Sequence, residues 1–230
     1  MQIPKNHVRL ARLCGDSYHS DRFPDAVEIG GMGPDCFVLA KETPAIVVFR
    51  GTSDLTGFLQ DFMARKEEHP WGWVHHGFLD CWKIIRHRVL AVVGLKPVIL
   101  TGHSLGGAMA TLAAPDFAGQ VKEVVTFGSP RVGNGAFRDA YAEEFAEQTT
   151  RYVYSLDPVP LVPGYLPGYR HVVGPTWFDG VEWRKGISLW TWAKSFWWLW
   201  FGGWQGFLGR LQRFHSIETY SEAIENEQET

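Results

Sequence analysis

Residues 99–114 of this chain read ILTGHSLGGAMATLAA. An apolar run enters the pentapeptide GHSLG at residues 102–106, and small residues follow it. Two interpretations account for one serine among so many small side chains. Either the glycines only allow a strand and a helix to pack closely, or Ser104 stands at the apex of a nucleophile elbow, where a sharp turn exposes its hydroxyl. Because G-x-S-x-G also arises by chance, the surrounding sequence has to decide between them.

Composition sets the first limits on the answer. The chain has 230 residues, of which 45% are hydrophobic, and we expect residues 1–230 to form a single domain with a sizeable core. The formal net charge is −3, which offers no basic surface for nucleic acid. The chain has three cysteines, and so small and odd a number does not fit a disulfide framework. We therefore expect free thiols in a reducing compartment.

The opening residues bear on location. The stretch MQIPKNHVRLARLCGDSY has neither a long apolar core nor a small-residue cleavage site. We therefore expect a cytoplasmic or peripheral membrane protein, with secretion by another route as the alternative.

Strand and helix patterns alternate along the chain. Short apolar runs typical of buried strands are AIVVF, PVILTG, VKEVVTF and RYVYSL. Helical spacing separates them, as in GFLDCWKIIRHRVLAVVG from residue 77, where Gly94 is the expected C-cap. This order predicts an α/β fold with a mainly parallel central sheet covered by helices on both faces. In such sheets, reactive groups collect at the carboxyl ends of the strands.

That context favours the elbow. Ser104 follows a predicted strand and opens a predicted helix, and a serine nucleophile needs a histidine base oriented by a carboxylate. In this fold the order along the chain is serine, acid, histidine. We assign His215 as the base, with His171 as the alternative, and Asp157, which ends a predicted strand, as the acid, with Asp179 as the alternative.

An oxyanion hole completes the constellation. One donor is the backbone N–H of the residue after the nucleophile, Leu105, and the second comes from a loop after an earlier strand. The sequence VVFRGTS supplies that loop, in which Thr52 offers both an N–H and a hydroxyl.

Six segments together resemble the class 3 lipases, of the type seen in filamentous-fungal triacylglycerol lipases. They are FRGTS, VHHGF, TGHSLGGAMATLAA, FGSPRVGN, DPVPLVP and HSIETY, and the resemblance covers about residues 5–225. It implies an α/β-hydrolase fold and hydrolysis of carboxylic esters, with no metal or organic cofactor. The family's nucleophile, acid and base fall on Ser104, Asp157 and His215, and its oxyanion residues fall on Thr52 and Leu105. The resemblance also implies that Asp61 holds the oxyanion hydroxyl.

A lid is the next implication of the resemblance. In the family, a short amphipathic helix after the oxyanion loop covers the site until lipid is present. The stretch SDLTGFLQD occupies that place, and Leu55, Phe58 and Leu59 share one apolar face at i, i+3, i+4 spacing. The alternative is a surface turn that packs on the core.

A tryptophan-rich stretch departs from the family pattern. Seven of the 11 tryptophans lie between residues 183 and 204. We expect a helical insertion at about 183–211 that docks on a membrane or lipid droplet, because tryptophan favours the membrane–water boundary. The docking side chains are Trp190, Trp197, Trp198, Trp200 and Trp204. A charged Lys194 and a glycine pair exclude a spanning helix. The alternative is a buried subdomain or a dimer contact.

The sequence therefore predicts a serine hydrolase that cleaves lipid esters through an acyl-enzyme, as a triacylglycerol lipase or esterase. Phospholipase A1 activity is the near alternative, since the same triad serves it. The alternative of another class is a membrane-docking protein with a vestigial site.

Overall fold

A sheet of eight strands organises the part of the chain that the structure describes. The computed structural model describes residues 3–30, 34–52, 65–154, 156–163, 168–180, 182–186, 209, 211 and 213–229. The strands of the large sheet are β1 (Val27–Ile29), β2 (Cys36–Leu39), β3 (Ala45–Phe49), β6 (Val98–His103), β7 (Val121–Phe127), β8 (Thr149–Tyr154), β9 (Thr176–Phe178) and β10 (Trp183–Lys185). They lie side by side in that order. The strands β4 (Lys66–His69) and β5 (Gly72–His75) form a separate antiparallel hairpin.

The centre of the sheet is parallel and its edges are antiparallel. Strands β3, β6, β7, β8 and β9 pair in parallel, whereas β1, β2 and β10 run against their neighbours. All five residues of β3, AIVVF, are buried, as expected of a strand covered on both faces. The parallel pairing brings the carboxyl ends of β3, β6, β7 and β8 to one edge of the sheet.

Five α-helices whose bounds lie within the described residues pack against the sheet. They are α1 (Lys5–Asp16), α2 (His76–Val93), α3 (Leu105–Ala113), α4 (Gly135–Phe145) and α5 (Ile217–Glu229). Side chains of α1 and α5 share one apolar cluster with residues such as Val48 and Val125, and α2, α3 and α4 share another with residues such as Val47 and Val124. Since neighbouring strand residues point to opposite faces, the helices lie on both sides, and the predicted fold class is confirmed.

The long helices follow their sequence patterns. Helix α2 buries Phe78, Trp82, Ile85 and Val89, which recur at helical spacing. It ends at Gly94, whose positive φ of 62° glycine adopts easily because it has no Cβ.

The predicted helical insertion at about 183–211 begins with a strand instead of a helix. Residues Trp183–Lys185 form strand β10, so a helix over these residues is wrong. The cause is tertiary pairing: a tight turn in which Glu182 N–H donates to Asp179 Oδ1 returns the chain alongside β9. Trp183 is buried, and its indole N–H donates to the carbonyl of Ala223 in α5. Residues 187–208 lie outside the described residues.

Several predicted functional residues also lie outside the described part of the chain. They are Leu55, Phe58, Leu59, Asp61, Trp190, Trp197, Trp198, Trp200 and Trp204. Among the helices that are described, none has the length and apolar character needed to cross a bilayer.

Candidate active site

Ser104 occupies a sharp turn between β6 and α3. Its φ of 57° and ψ of −124° make it the only non-glycine residue with positive φ in the described part of the chain. Such a conformation costs about 1–3 kcal/mol for a residue with a side chain, and it persists only where packing and hydrogen bonds impose it. Here the Ser104 N–H donates to the Phe127 carbonyl at 2.9 Å. The strain is concentrated on the serine that the sequence singled out.

The glycines around Ser104 are required by contact distance. A Cβ on Gly102 would lie 2.3 Å from the carbonyl carbon of Gly106, and a Cβ on Gly106 would lie 2.0 Å from the Phe49 carbonyl oxygen. No side chain fits at either position, because backbone atoms cannot give way. The turn therefore reverses the chain within a space that only glycine allows on both sides of the serine.

Asp157 follows β8 and is buried, with donors on both carboxylate oxygens. Oδ1 accepts the N–H of Val159 at 2.8 Å. Oδ2 accepts from His215 Nδ1 at 2.8 Å and from the Tyr220 hydroxyl at 2.6 Å. A buried carboxylate is stable when its lone pairs are satisfied in this way. We call Asp157, His215 and Tyr220 the carboxylate cluster.

Tyr220 was not identified from the sequence. It lies in α5, and its hydroxyl also accepts the Tyr154 N–H at 3.0 Å, so it ties Asp157 to the end of β8. Burial, followed by the charge of Asp157, raises the pKa of Tyr220 well above its usual value. The phenol therefore remains protonated and donates to the carboxylate. The signal in the sequence was an aromatic residue five positions after His215, on the helix that the histidine precedes.

His215 and Ser104 share no direct hydrogen bond, and their neighbours meet around Gly128. A Cβ on Gly128, whose φ is +59°, would meet Asp157 Oδ2 at 2.8 Å and His215 Nδ1 at 3.2 Å. Gly128 is the next residue after Phe127, which holds the Ser104 N–H. Among the described residues, neither Ser104 Oγ nor His215 Nε2 has a hydrogen-bond partner, and both atoms are buried. Catalytic hydrogen bonds are often longer in the free enzyme than in the substrate complex.

His103 connects the elbow to the backbone of His215. Its Nε2 donates to the His215 carbonyl at 2.6 Å, and its Nδ1 accepts from the Tyr18 hydroxyl at 3.1 Å. Burial and the neighbouring His215 lower the pKa of His103 well below its usual value, so the ring is neutral. The two imidazole rings have their centroids 4.5 Å apart. His103 therefore supports the position of His215 and leaves its own ring nitrogens occupied.

The two expected oxyanion donors lie beside the elbow. Strands β3 and β6 are neighbours, with Phe49 opposite Gly102, so the loop after β3 reaches the start of α3. Thr52 lies in that loop and is partly buried. Leu105 is the first residue of α3, where a backbone N–H has no acceptor within its own helix. Both residues thus lie at the edge of the sheet where Ser104 turns.

The alternative acid and base lie elsewhere. His171 donates its Nε2–H to the Pro160 carbonyl at 2.7 Å, as a histidine that supports the backbone does. Asp179 lies in the turn between β9 and β10, where it accepts from Glu182 and faces Arg184 at 3.4 Å. The structure brings Asp157, rather than Asp179, to His215.

Comparison with known proteins places this arrangement in a family. The family profile "Lipase (class 3)" matches residues 46–166, which is more than half of the chain. The chain belongs to the class 3 lipase family.

Individual relatives agree with that assignment. A secreted mono- and diacylglycerol lipase 1 from Fusarium solani is 37% identical over 116 residues, which are 46% of this chain and 34% of the relative. A secreted mono- and diacylglycerol lipase A from Penicillium cyclopium is 35% identical over 111 residues, which are 44% of this chain and 36% of that relative. The chain thus spans about a third of the length of these curated relatives.

A solved structure supports the fold. A triacylglycerol lipase whose catalytic centre is described as a serine protease triad superposes with a TM-score of 0.66 and 26% identity. The match covers 76% of this chain and 80% of that chain. The mainly parallel sheet, with helices on both faces, is therefore the α/β-hydrolase fold.

The relatives overturn the expectation about location. Both curated relatives are named as secreted, so a cytoplasmic or peripheral membrane location is wrong. The three cysteines do not argue otherwise, since all three are free, and Cys14 and Cys36 are buried in the core. A thiol that packs as a small apolar side chain carries no information about the redox compartment.

One cluster of described side chains has metal-ligand chemistry. Glu67, His76 and Asp80 place their ligand atoms within 4.8 Å of one another. The two nitrogens of His76 face different carboxylates, at 2.6 Å from Glu67 and 3.1 Å from Asp80, and the Lys83 ammonium also contacts Glu67. One ion cannot bind both nitrogens of a single ring, and a lysine already supplies the positive charge. Ion pairing among these side chains therefore explains the cluster.

Proposed function

We propose that this protein hydrolyses carboxylic esters of lipids, with Ser104 as nucleophile, His215 as general base and Asp157 as the orienting acid. One observation carries the proposal. A strained, buried serine directly follows His103, whose ring centroid lies 4.5 Å from that of His215 in a buried carboxylate–imidazole pair. The two atoms that would exchange the proton have no partner among the described residues. A structural serine has no need of that strain.

The hydrogen bonds of His215 define the first step. Because Asp157 accepts from Nδ1, the neutral ring keeps its lone pair on Nε2. As Ser104 Oγ attacks the ester carbonyl carbon, Nε2 takes the hydroxyl proton, and the carbonyl π electrons move onto oxygen. The tetrahedral intermediate then collapses: the C–O bond to the alcohol breaks, and Nε2–H protonates the leaving alkoxide.

The second step releases the acid. Water attacks the acyl-Ser104 ester, and His215 again accepts the proton and returns it to Ser104 Oγ as the carboxylic acid leaves. The N–H groups of Leu105 and Thr52 stabilise the oxyanion in both halves of the reaction. Loss of one such donor costs about 3–4 kcal/mol of transition-state stabilisation.

Family membership supports acylglycerols as the substrate class. The named relatives are mono- and diacylglycerol lipases, and the structural relative is a triacylglycerol lipase. Phospholipase A1 activity uses the same reacting groups and is the outcome to be distinguished. A panel of monoacylglycerol, diacylglycerol, triacylglycerol, phosphatidylcholine and p-nitrophenyl butyrate, all at equal acyl concentration, ranks these activities directly.

The covalent chemistry has a direct test. A fluorophosphonate probe is expected to label the wild type and not Ser104→Ala. Ser129→Ala is the matched control, because Ser129 is also buried but donates only to the Pro130 carbonyl. Labelling of Ser104→Ala at the wild-type rate would reject the assignment. A folded wild type that neither reacts with the probe nor hydrolyses any ester would favour a membrane-docking protein with a vestigial site.

The lid, Asp61 and the tryptophan-rich stretch remain predictions from the sequence. We propose that the segment 187–204 docks on lipid, and that its deletion reduces activity on emulsions far more than on soluble p-nitrophenyl butyrate. Equal losses on both substrates would indicate a purely structural role. The same pair of substrates tests the apolar face of Leu55, Phe58 and Leu59, through replacement of all three by serine.

A further inference from the structure

Tyr18 follows helix α1 and is not among the residues that the sequence predicts for the site, yet its hydroxyl reaches two of the site's segments. The first is the turn at Ser104, because the hydroxyl lies 3.1 Å from Nδ1 of His103. The second is the loop after β3, residues 50–52, which we call the oxyanion loop. A Cβ on Gly51 would lie 2.2 Å from the Tyr18 hydroxyl oxygen and 2.9 Å from the His103 carbonyl oxygen. The hydroxyl therefore lies where the oxyanion loop meets the serine turn.

The ring of Tyr18 also contacts the oxyanion loop. The guanidinium carbon of Arg50 lies 5.8 Å from the ring centroid, within the range of a cation–π contact. Arg50 is itself anchored, since its side chain pairs with Asp35 at 3.1 Å and its N–H donates to the Asp35 carbonyl at 3.0 Å. Tyr18 thus packs against a part of the loop that is held to the segment before β2, two residues before Thr52.

The hydroxyl of Tyr18 selects one tautomer of His103. Burial raises the pKa of Tyr18, so the phenol is protonated and can donate. Burial, then His215, lower the pKa of His103 well below its usual value, so its ring is neutral and carries one proton. Because Nδ1 accepts from Tyr18, that proton is on Nε2. There it is donated to the His215 carbonyl at 2.6 Å.

The other tautomer of His103 would release the base. With the proton on Nδ1, the lone pair of Nε2 would face the carbonyl oxygen of His215, and two acceptors repel each other. In the observed arrangement, His215 is held at two points, through its carbonyl by His103 and through Nδ1 by Asp157. The first of these bonds fixes the main chain from which the imidazole extends, and it depends on the tautomer that Tyr18 selects.

From these shared contacts we infer that Tyr18 is a positioning residue for the reaction. Through His103 it holds the base, His215, in a fixed place relative to the oxyanion loop. Tyr18 acts through other residues rather than on a reacting atom. The inference rests on the proposed function, in which His215 takes the proton of Ser104.

Tyr18→Phe tests the inference, because it removes the hydroxyl and keeps the ring beside Arg50. Tyr152→Phe is the matched control. The Tyr152 hydroxyl also contacts a histidine Nδ1, that of His7 at 2.8 Å, but this contact ties α1 to β8. We expect both variants to lower the melting temperature by about 2–4 °C. Only Tyr18→Phe should lower kcat for p-nitrophenyl butyrate, by about tenfold, with KM unchanged within a factor of about two.

Two substitutions of His103 test the same connection from its other end. His103→Gln keeps an N–H donor for the His215 carbonyl and an oxygen that can accept from Tyr18. His103→Leu keeps neither. We expect kcat to fall about 100-fold in the leucine variant and to stay within about threefold of wild type in the glutamine variant. If His103 only filled space, the two variants would lose kcat to the same extent.

The same assay with Ser104→Ala reports the proposed function separately. A selective fall in kcat for Tyr18→Phe, together with the activity of His103→Gln, supports the inference. If Ser104→Ala is inactive but Tyr18→Phe keeps the kcat of wild type, or loses no more than Tyr152→Phe, the inference is overturned and the proposed function stands. An inactive wild type, or a Ser104→Ala variant with full activity, overturns the proposed function and this inference with it.

Discussion

The turn after β8 contributes to two buried polar groups of opposite character. In the carboxylate cluster, Asp157 is surrounded by donors and keeps a histidine beside a negative charge. Around His171, burial, then Arg151 and Arg131, lower the pKa of the ring well below its usual value. Both histidines are held by short hydrogen bonds, so burial alone does not distinguish them. The neighbouring side chains distinguish them: a carboxylate accepts a hydrogen bond from His215, whereas two arginines lie near His171 and lower its pKa further.

The sharpest contrast between the two regions is between their histidines. His215→Gln removes the proposed base and is expected to lower kcat/KM for p-nitrophenyl butyrate about 10⁶-fold, because nucleophile and base act as a unit. His171→Gln keeps a donor for the Pro160 carbonyl and is expected to leave kcat/KM within about tenfold. Comparable losses of kcat/KM in the two variants would contradict the assignment of His215 as the base.

The acid gives the next largest effect. Asp157→Asn preserves the shape of the cluster but replaces the charge, so His215 loses the partner that stabilises its protonated form. We expect kcat to fall about 10⁴-fold, as measured with the soluble ester under saturating conditions. Asp179→Asn, at the alternative acid in the β9–β10 turn, is the control and should have little effect on kcat. A larger fall in kcat for Asp179→Asn than for Asp157→Asn would make Asp179 the acid.

Tyr220 is expected to matter less, because Asp157 keeps two other donors. Tyr220→Phe removes a hydrogen bond to a charged carboxylate, which is worth about 1.5–3 kcal/mol in the free energy of unfolding. Tyr141→Phe is the matched control, since its hydroxyl meets only the neutral Thr149 hydroxyl at 3.0 Å, and we expect a loss of about 1 kcal/mol there.

Activity separates positioning from stability for the two tyrosines. Because Tyr220 orients Asp157, its phenylalanine variant should lower kcat up to about tenfold, while Tyr141→Phe leaves kcat unchanged. Urea denaturation gives the unfolding free energies, and initial rates below the unfolding transition give kcat. A Tyr220→Phe enzyme with full kcat would limit the tyrosine to a role in folding.

The smallest effect concerns pH and the surroundings of His171. The folded state lowers the pKa of His171, so on acidification the unfolded chain binds a proton at this residue that the folded protein does not. The contribution of His171 to stability is therefore complete above the unfolded pKa of about 6.5 and decreases below it. Between pH 6.5 and 5.5, wild type should lose about 1 kcal/mol more than His171→Gln, as measured by denaturant unfolding at both pH values. If the stability of wild type and of His171→Gln depended on pH in the same way, the lowered pKa of His171 in the folded protein would be contradicted.

Much of the fold was predictable because local patterns and tertiary packing agree. Apolar runs such as AIVVF became central strands, and the spacing of Phe78, Trp82, Ile85 and Val89 became the buried face of α2. The short strands β9 and β10, at one end of the sheet, were not predicted. Strands β9 and β10 have three residues each, too few for any periodicity, and they exist because a neighbour supplies their hydrogen bonds.

The candidate site divides in the same way. Ser104, Asp157 and His215 carry local signals: glycines that a sharp turn requires, a strand end, and a histidine before a helix. His103 and Gly128 carry none, and the signal of Tyr220 is only an aromatic residue on the helix after His215. Their roles depend on contacts between residues that are 29 to 112 positions apart in the chain. Only the packed structure shows which hydroxyl reaches Asp157 and which carbonyl binds His103.

The sequence by itself determined the α/β architecture, the family and the strained serine turn, since periodicity and glycine placement act over a few residues. Only the tertiary structure decided which histidine receives the carboxylate and which receives the arginines. Electrostatic partners are set by distance in space, and the two histidines acquire their different environments only once β8, the turn after Asp157 and α5 are brought together.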